Sequence, residues 1–333
     1  MRDIDNTVLS SRVRLARNVA GLPFPHKLES EAAFGFMKKV SDLLKNTDRF
    51  SLYLMSRLDD LRKKALVERH LISPDLTKNS RCGAVMINAD ESVAVMLNEE
   101  DHIREQSIVK GFDISGAYER VRRVDDRIIS GVSLAYDDAL GFLTSCPTNV
   151  GTGMRASVMM FLSALTRSGK MPSLVKALTA KKMTVRGIYG EGSENSGYLY
   201  QISNKISLGY GEEEILRSVN AAAVRLCEFE AEERQALYQG NKIALTDRIM
   251  RAKGILQNAY VLPLGEFFER FADVKTGVAL GLIKCRDVGR LNSFLTDVLP
   301  ANLTLKRGAA MTETEREIFR AEYTAKNLAE ILN

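Results

Sequence analysis

Hydrophobic residues in the first two thirds of the chain follow two different periods. Residues 92–97 form a short apolar run typical of a strand, whereas residues 155–167 have the apolar spacing of a helix. Strand-like and helix-like runs of this kind alternate up to about residue 210. The pattern therefore predicts an α+β fold for this part of the chain.

The remaining third of the chain has a helical pattern throughout. From residue 211 onwards apolar residues recur at helical spacing. Further helices are predicted near residues 241–258, 263–282, 287–298 and 312–331. The last of these opens with Thr312 and Glu315, a capping-box pair that marks a helix start. The change of pattern predicts two domains, an α+β domain at residues 1–238 and a smaller all-helical domain at residues 239–333.

Composition removes several classes of protein from consideration. The 333 residues are 45% hydrophobic and 27% charged, as in an ordinary soluble chain, and no window approaches the ~18 apolar residues of a membrane span. The four cysteines lie far apart without a C-x-x-C pair, so we expect neither a disulfide framework nor a zinc site. The N-terminus lacks the apolar core of a secretion signal, which predicts a cytoplasmic protein. A net charge of +5 suits an anionic ligand as well as a nucleic acid.

A basic segment at residues 10–17, SSRVRLAR, is the first candidate for chemistry. In an extended strand, Arg12 and Arg14 project from one face while Val13 and Leu15 enter the core. Two guanidinium groups on one face repel each other, and a polyphosphate between them would remove that cost. Taken alone, the segment is also typical of a solvated basic strand.

An acidic cluster, NEEDHIR at residues 98–104, follows the first apolar run directly. Carboxylates at a strand end can address a ligand, but they are also typical of an exposed turn. Alternation along an extended chain would send Glu99 and Asp101 one way and Glu100 the other. Only part of the cluster can therefore address one ligand. His102, in the same segment, is expected to be structural.

A loop rich in Gly and Thr, TSCPTNVGTGM at residues 144–154, precedes Arg155 and the predicted helix. Free backbone N–H groups and the positive end of a helix would suit an anion there, and Arg155 adds a full charge. Neither a Walker A loop nor a convincing G-x-G-x-x-G is present. Cys146 could be a reactive thiol near cationic groups, or a small buried hydrophobic residue.

A second glycine-rich segment, VRGIYGEGSE at residues 185–194, lies between strand-like flanks and carries Arg186, Glu191 and Glu194. Glycine would let such a loop close over a ligand, and its acids could then reach a cation. Taken together, Arg12, Arg14, Arg104, Arg155 and Arg186 supply cations for a nucleoside triphosphate. Glu100 and Glu191 supply carboxylates for a cationic acceptor.

These four segments resemble, in order, the signature blocks of the phosphagen (guanidino) kinases, and the resemblance covers roughly residues 8–235. It implies an antiparallel sheet flanked by helices, with ATP and Mg²⁺ as cofactors. It also implies that Glu100 and Glu191 hold the acceptor guanidinium and that one of them accepts its proton. Cys146 would orient the guanidinium as a thiolate. The nucleotide site implied by the resemblance comprises Ser10, Ser11, Arg12, Val13, Arg14, His70, Arg104, Arg155, Ala156, Ser157, Val158, Met159, Arg186, Gly187, Ile188, Tyr189 and Gly190. From the residues alone, His70 is equally well a half-buried histidine at a helix end.

The order of the domains resembles that of the bacterial protein-arginine kinases of the McsB type, in which the helical domain also follows the SSRVR block. These kinases carry an R-D-x-x-R-A motif that binds phosphoarginine, and the resemblance assigns this allosteric site to Arg316, Glu317, Arg320 and Ala321, with Glu317 in place of Asp. Arg316 and Arg320 lie one helical turn apart, where an anion between them would reverse their repulsion. The alternative is a solvated helix face on which Glu313 and Glu317 neutralise the arginines.

The resemblance implies transfer of the γ-phosphate of ATP to arginine side chains in proteins, which marks them for Clp-type proteolysis and regulates the stress response. The implied partners are a heat-shock repressor and unfolded proteins as substrates, a zinc-binding activator protein and the Clp unfoldase-protease, with a homodimer and no direct binding to membrane or nucleic acid. Two alternatives stay open, a kinase of free arginine and a non-catalytic module that reads phosphoarginine.

Overall fold

The computed structural model describes residues 2–45, 49–78, 81–187 and 198–332. Within these ranges the strands are β1 (Val8–Arg17), β2 (Ser51–Leu54), β3 (Ala84–Ile87), β4 (Val93–Leu97), β5 (Ile103–Lys110), β6 (Tyr136–Asp137), β7 (Gly141–Phe142), β8 (Met154–Phe161), β9 (Met183–Gly187) and β10 (Leu199–Asn204). The helices are α1 (Arg2–Thr7), α2 (Ser30–Leu44), α3 (Asp60–Glu68), α4 (Pro74–Lys78), α5 (Ile114–Ile129), α6 (Ser163–Arg167), α7 (Met171–Ala180), α8 (Glu212–Gly240), α9 (Lys242–Asn258), α10 (Leu264–Ala279), α11 (Val288–Asp297), α12 (Pro300–Arg307) and α13 (Glu313–Ile331).

Eight of the strands form one sheet in the order β2-β3-β4-β5-β1-β8-β10-β9, and every neighbouring pair runs antiparallel. Strands β6 and β7 form a separate hairpin. The predicted α+β class, with an antiparallel sheet flanked by helices, is confirmed. No disulfide bond joins the four cysteines. In the part of the chain that the structure describes, no helix has the length and apolar character needed to cross a membrane.

The prediction of a helix over residues 155–167 is wrong. Met154–Phe161 is strand β8, which pairs with β1 on one side and β10 on the other, and only the short helix α6 follows it. A central strand buried on both faces presents a nearly continuous apolar run, which periodicity alone does not separate from a buried helix. The glycine-rich loop before Arg155 therefore leads into a strand, and no helix dipole acts on an anion there.

The helical pattern of the last third of the chain is confirmed. Helix α8 runs unbroken over 29 residues, and α9, α10, α11 and α13 begin and end close to the predicted positions. The capping box at the start of α13 is present. Thr312 Oγ1 accepts a hydrogen bond from the Glu315 backbone N–H, and the Glu315 carboxylate accepts one from the Thr312 backbone N–H at 2.7 Å.

The two faces of the sheet are covered differently. Helices α5, α7 and α8 pack on one face and share a core with the inward side chains of β1, β8 and β10. On the other face, residues next to α3 and α4 pack against β3 and β4, while the C-terminal helices pack against Phe161 and Leu199. A central stretch of this second face, called the open face below, lies between these two groups of helices. It carries Arg12 and Arg14, as alternation along β1 predicts, whereas Val13 and Leu15 are buried in the core.

A buried ionic cluster lies on the other face of the sheet, between the sheet and α5. The Arg17 guanidinium donates to both carboxylate oxygens of Asp125, at 3.0 and 2.7 Å, and both side chains are buried. Glu105 is completely buried beside this pair. Burial and then the charge of Asp125 raise the pKa of Glu105 well above its ordinary value of 4.5.

We expect Glu105→Gln to change how stability depends on pH. Because the folded pKa of Glu105 is raised, the folded protein keeps a proton that the unfolded chain releases above about pH 4.5. The wild-type free energy of unfolding therefore falls, by up to about 1.4 kcal/mol per pH unit, as pH rises from there towards the folded pKa. Urea unfolding followed by circular dichroism at several pH values should show Glu105→Gln gaining stability over wild type as pH rises. Parallel curves for the two proteins would contradict this, and the exposed Glu119→Gln serves as the control.

Candidate active site

Five arginines from four strands meet on the open face. Arg14 on β1 lies directly opposite Arg155 on β8. Burial and then the charges of Arg104 and Arg155 lower the pKa of Arg12 to about 9. Burial followed by the charges of Arg186 and Arg104 lowers the pKa of Arg155. The charges of neighbouring arginines thus act on Arg12 and Arg155, and the structure brings together the five cations that the sequence singled out.

The positive charge of this cluster is largely uncompensated. Arg104 is paired with the Glu99 carboxylate, whose oxygens accept hydrogen bonds from its Nη1 at 2.9 and 2.7 Å. Among the described residues no carboxylate forms an ion pair with the other four arginines. The Nε atom of Arg14 is buried without a hydrogen-bond partner. Partly buried guanidinium groups held this close together call for an anion with several charges.

Glu99 is a partner of the arginine cluster that the sequence analysis did not assign to the site. Burial alone would raise the pKa of Glu99, but the charge of Arg104 and the hydrogen bond from Ser73 Oγ outweigh it and place the pKa below its usual range. Glu99 therefore stays ionised and fixes Arg104 at the edge of the cluster. On β10, Ser203 likewise accepts hydrogen bonds from Arg155 Nε and Nη2, both at 3.2 Å. Glu99 belongs to the acidic cluster that the sequence shows, but its contact with Ser73 and the contact of Ser203 with Arg155 join positions 26 and 48 residues apart, which a single sequence does not reveal.

Glu99, Glu100 and Asp101 have different surroundings, although they are neighbours in the turn between β4 and β5. Asn98 adopts the left-handed region at φ +58°, which turns the chain sharply. Asp101 is buried and accepts hydrogen bonds from Asn18 and from the Ser145 backbone N–H, both at 2.7 Å. Glu100 is exposed at the rim of the cluster. Burial, followed by the charges of Asp101 and Glu99, raises the pKa of Glu100.

The loop that carries Cys146 is held by hydrogen bonds near both of its ends. Asp101 holds its start through Ser145, while Arg17 Nη1 donates to the Thr152 carbonyl at 2.9 Å near its end. Gly153 has φ +65°, and a Cβ there would lie 2.5 Å from a backbone oxygen of β1, so only glycine fits. Cys146 is half-buried, with its Sγ 3.1 Å from Thr148 Oγ1. The charge of Cys146 acts on the pKa of Arg155, which places the thiol next to the arginine cluster.

His70 and His102 have different surroundings. His70 lies just beyond the end of α3, in the left-handed region at φ +60°. Burial and then the charge of Arg12 lower the pKa of His70 to about 4, so its ring is neutral at physiological pH beside the cluster. His102 is completely buried. Its Nδ1 accepts a hydrogen bond from the Val19 N–H, and its Nε2 is hydrogen-bonded to the Pro23 carbonyl. The structural role expected for His102 agrees with these contacts.

Some residues assigned to the nucleotide by resemblance face the other way. Ser10, Ser157 and Met159 share the open face with the arginines. The side chains on the opposite side of the sheet are buried in the core, namely those of Ser11, Val13, Ala156 and Val158. Any contact of these four residues with a nucleotide would have to be made by backbone atoms, because alternation turns their side chains away from the open face. Gly187 ends β9, and Ile188, Tyr189, Gly190 and Glu191 lie outside the described residues.

A cavity of about 500 Å³ continues from the arginine cluster along the open face. It begins at Ile108, the cross-strand partner of Arg12. Leu71 and Met159 add apolar walls, and α11 forms the far side. A charged region therefore adjoins a mixed apolar pocket on the same face.

The second predicted site, on α13, is not a solvated helix face. Arg320 is buried, and its Nε and Nη1 donate to the carbonyls of Val298 and Leu262 at 3.1 and 2.9 Å. Arg316 is half-exposed and donates to the Met311 carbonyl. Ala321 is buried. The pKa of Arg320 is lowered by burial, while the charge of Glu317 raises it, so this acid lies close to the guanidinium.

This difference predicts unequal effects of two substitutions. Arg320→Ala leaves two buried carbonyls without their donor and should lower the free energy of unfolding by about 2–4 kcal/mol. Arg316→Ala should cost less than about 1 kcal/mol, since its side chain is half-exposed. Thermal unfolding of the two variants measures the difference. Equal stabilities would contradict the structural role of Arg320.

The fold and the site have clear counterparts among known proteins. Residues 35–233 match the family described as ATP:guanido phosphotransferase, C-terminal catalytic domain. Lombricine kinase superimposes with a TM-score of 0.61 at 27% identity, over 71% of this chain and 68% of that one. The duplicated taurocyamine kinase from Schistosoma mansoni with bound transition-state analogue components has a TM-score of 0.63 at 26% identity, over 78% of this chain and 39% of that one. The fold and the arginine site therefore define an ATP:guanido phosphotransferase.

The C-terminal helices indicate which kind of ATP:guanido phosphotransferase this chain resembles. Residues 242–333 match the family described as protein-arginine kinase McsB C-terminal domain. The protein-arginine kinase of Caldanaerobacter subterraneus subsp. tengcongensis is 40% identical, over 97% of both chains. That of Bacillus subtilis is 41% identical, over 96% of this chain and 90% of the relative. The chain belongs to the protein-arginine kinase family.

Proposed function

We propose that this chain transfers the γ-phosphoryl group of ATP to the guanidinium of arginine side chains in proteins. The observation that carries the proposal is the arginine cluster, in which four of five guanidinium groups lack a described carboxylate partner while Glu100 and Cys146 lie at its rim. A triphosphate supplies the missing negative charge, and the rim residues face the place where a cationic acceptor approaches.

The acceptor poses the chemical problem. A guanidinium has a pKa above ~12 and no free lone pair, so it attacks phosphorus only as it loses a proton. Glu100 is suited to accept that proton because its pKa is raised while it stays exposed to the acceptor. As the N–P bond forms, the bond from the γ-phosphorus to the ADP oxygen breaks. Glu191, by family resemblance, is the second carboxylate, and Cys146 orients the guanidinium.

The arginines act on the phosphates. Arg12, Arg14, Arg104, Arg155 and Arg186 are arranged before ATP arrives, so they stabilise charge in the transition state without reorganising. The neutral His70 and the apolar side chains of the 500 Å³ cavity suit the nucleobase. Mg²⁺ would supply positive charge to the phosphates when bound. Since no group of three or more His, Cys, Asp or Glu side chains within the described ranges could hold a metal, phosphate oxygens and water would supply most of its ligands.

The organisation and partners belong to the same proposal. We place the domain boundary at residues 238 and 239, close to the end of α8 and between the two family matches. The resemblance supports a cytoplasmic homodimer that phosphorylates a heat-shock repressor and unfolded proteins in the stress response. It also supports a zinc-binding activator, a Clp unfoldase-protease that degrades the products, and allosteric binding of phosphoarginine near Arg316 and Glu317.

The test is to incubate the purified chain with Mg-ATP and an unfolded, arginine-rich protein, in parallel with free arginine. Acid-labile phosphate on the protein is the expected result. Label on free arginine alone would favour a small-molecule kinase and contradict the proposal. Label on neither acceptor would favour a module that binds phosphoarginine without catalysis.

A further inference from the structure

An apolar groove lies beside the loop that carries Cys146. It has a volume of about 570 Å³ and runs between the β6–β7 hairpin and the segment after β10. Three of its side chains are well exposed, Tyr136 at 58% and Leu140 and Leu208 at 46% each. Large apolar side chains gathered on a surface are typical of a binding site. We call this feature the loop-side groove.

The loop-side groove and the catalytic loop share hydrogen bonds. Ser207, which lines the groove, donates from its Oγ to the Thr148 carbonyl at 3.4 Å. Thr148 Oγ1 in turn lies 3.1 Å from Cys146 Sγ. Thr148 therefore connects the groove to Cys146, the residue that the proposed function places beside the acceptor guanidinium. Two to four residues of extended chain, at roughly 3.3 Å each, span about 7–13 Å, and we take this as the reach from Cys146 to the groove.

The groove is rigid. Gly151 exchanges backbone hydrogen bonds with Phe142 on the hairpin, and a Cβ on Gly151 would lie 2.8 Å from the backbone of Leu208. The Arg17 guanidinium packs under the Phe142 ring, 3.7 Å from its centroid. Because Arg17 is also paired with Asp125, the hairpin rests on the buried ionic cluster. A surface arranged before binding loses little entropy when it binds a flexible chain.

The charge around the groove indicates which kind of peptide segment it would bind. No lysine or arginine is found among the described residues that line it. Glu212 lines the groove, and Asp137, Asp138, Glu213 and Glu214 lie within two residues of lining residues in the chain. An apolar surface with an acidic border fits a segment that carries both an apolar side chain and positive charge.

From this geometry we propose that the loop-side groove binds the segment of the substrate polypeptide next to the target arginine, with an apolar side chain two to four residues away from it. The proposal rests on the proposed function and deepens it, since it names what the enzyme reads besides arginine. It predicts a preference for arginines next to apolar residues, which are buried in folded proteins and exposed in unfolded ones.

The experiment uses peptides that contain one arginine in a glycine-serine background. A single leucine is moved from four residues before the arginine to four residues after it. Wild type should show about a tenfold higher kcat/KM for one or two leucine positions than for the peptide without leucine. Leu140→Ser with Leu208→Ser should lose this preference and keep the rate on the leucine-free peptide. Leu305→Ser, an exposed leucine on α12, is the matched control and should keep the preference.

Other outcomes would overturn the inference. A wild type without positional preference, or a double variant that keeps it, would show that the groove does not read the substrate. If the double variant instead changes the sedimentation mass and keeps the preference, the groove is an interface between copies of the chain. Phosphate on no peptide and on no unfolded protein would contradict the proposed function itself, which separates the two failures.

Discussion

Arg155→Lys should reduce kcat by about 10²–10³-fold. Arg155 is held by Ser203 at the centre of the cluster, facing Arg14 across the strands and close to Cys146. Lysine keeps the charge but loses the planar fork that binds phosphate oxygens in pairs. Steady-state kinetics with Mg-ATP and an unfolded protein measure the loss.

Stability separates this catalytic role from a structural one. Because lysine keeps the charge, the repulsion within the cluster is unchanged and only the two 3.2 Å hydrogen bonds to Ser203 are altered, so the thermal midpoint of Arg155→Lys should stay close to that of wild type. Arg62→Lys changes an exposed arginine that pairs with Asp59 at the start of α3, and it is the matched control. A variant that loses activity and stability together would show that Arg155 serves the fold and not the transition state.

Glu100→Gln should lower kcat by a similar factor, about 10²–10⁴-fold, and leave the KM for ATP nearly unchanged. Glutamine keeps the shape of the side chain and cannot accept the guanidinium proton. Because Glu100 is exposed at the rim, the change should not disturb the packing of the turn. Glu119→Gln on α5 is the control for loss of one exposed carboxylate.

The pH profile gives a second readout for Glu100. Burial and the neighbouring acids raise its pKa, so wild-type kcat should fall as acid protonates Glu100 at a pH above the ordinary value of 4.5. This acidic limb should disappear in Glu100→Gln. An unchanged limb together with near-wild-type turnover would remove Glu100 from the mechanism.

Much of the site could be predicted from local sequence. Strict alternation along β1 places Arg12 and Arg14 on one face and Val13 and Leu15 on the other, because successive side chains of a strand point in opposite directions. The capping box of α13 could also be predicted, because both of its partners lie within four residues of sequence.

Other features depend on residues that are far apart in the chain. Strand β8 looks helical in isolation, and it is a strand because β1 and β10 pair with its two edges. Glu99 accepts a hydrogen bond from Ser73, 26 residues earlier in the chain, only because the fold brings the start of α4 to the turn between β4 and β5. Arg320 is buried because carbonyls 22 and 58 residues away accept its hydrogen bonds.

The sequence by itself determined the α+β class, the helical C-terminal part, the charged motifs and the family they resemble, because these follow from neighbours along the chain. The tertiary structure decided which side chains share the open face, which arginines keep an uncompensated charge and which of the three acids is exposed. Those properties depend on strand pairing and burial, and both are set by contacts between distant segments.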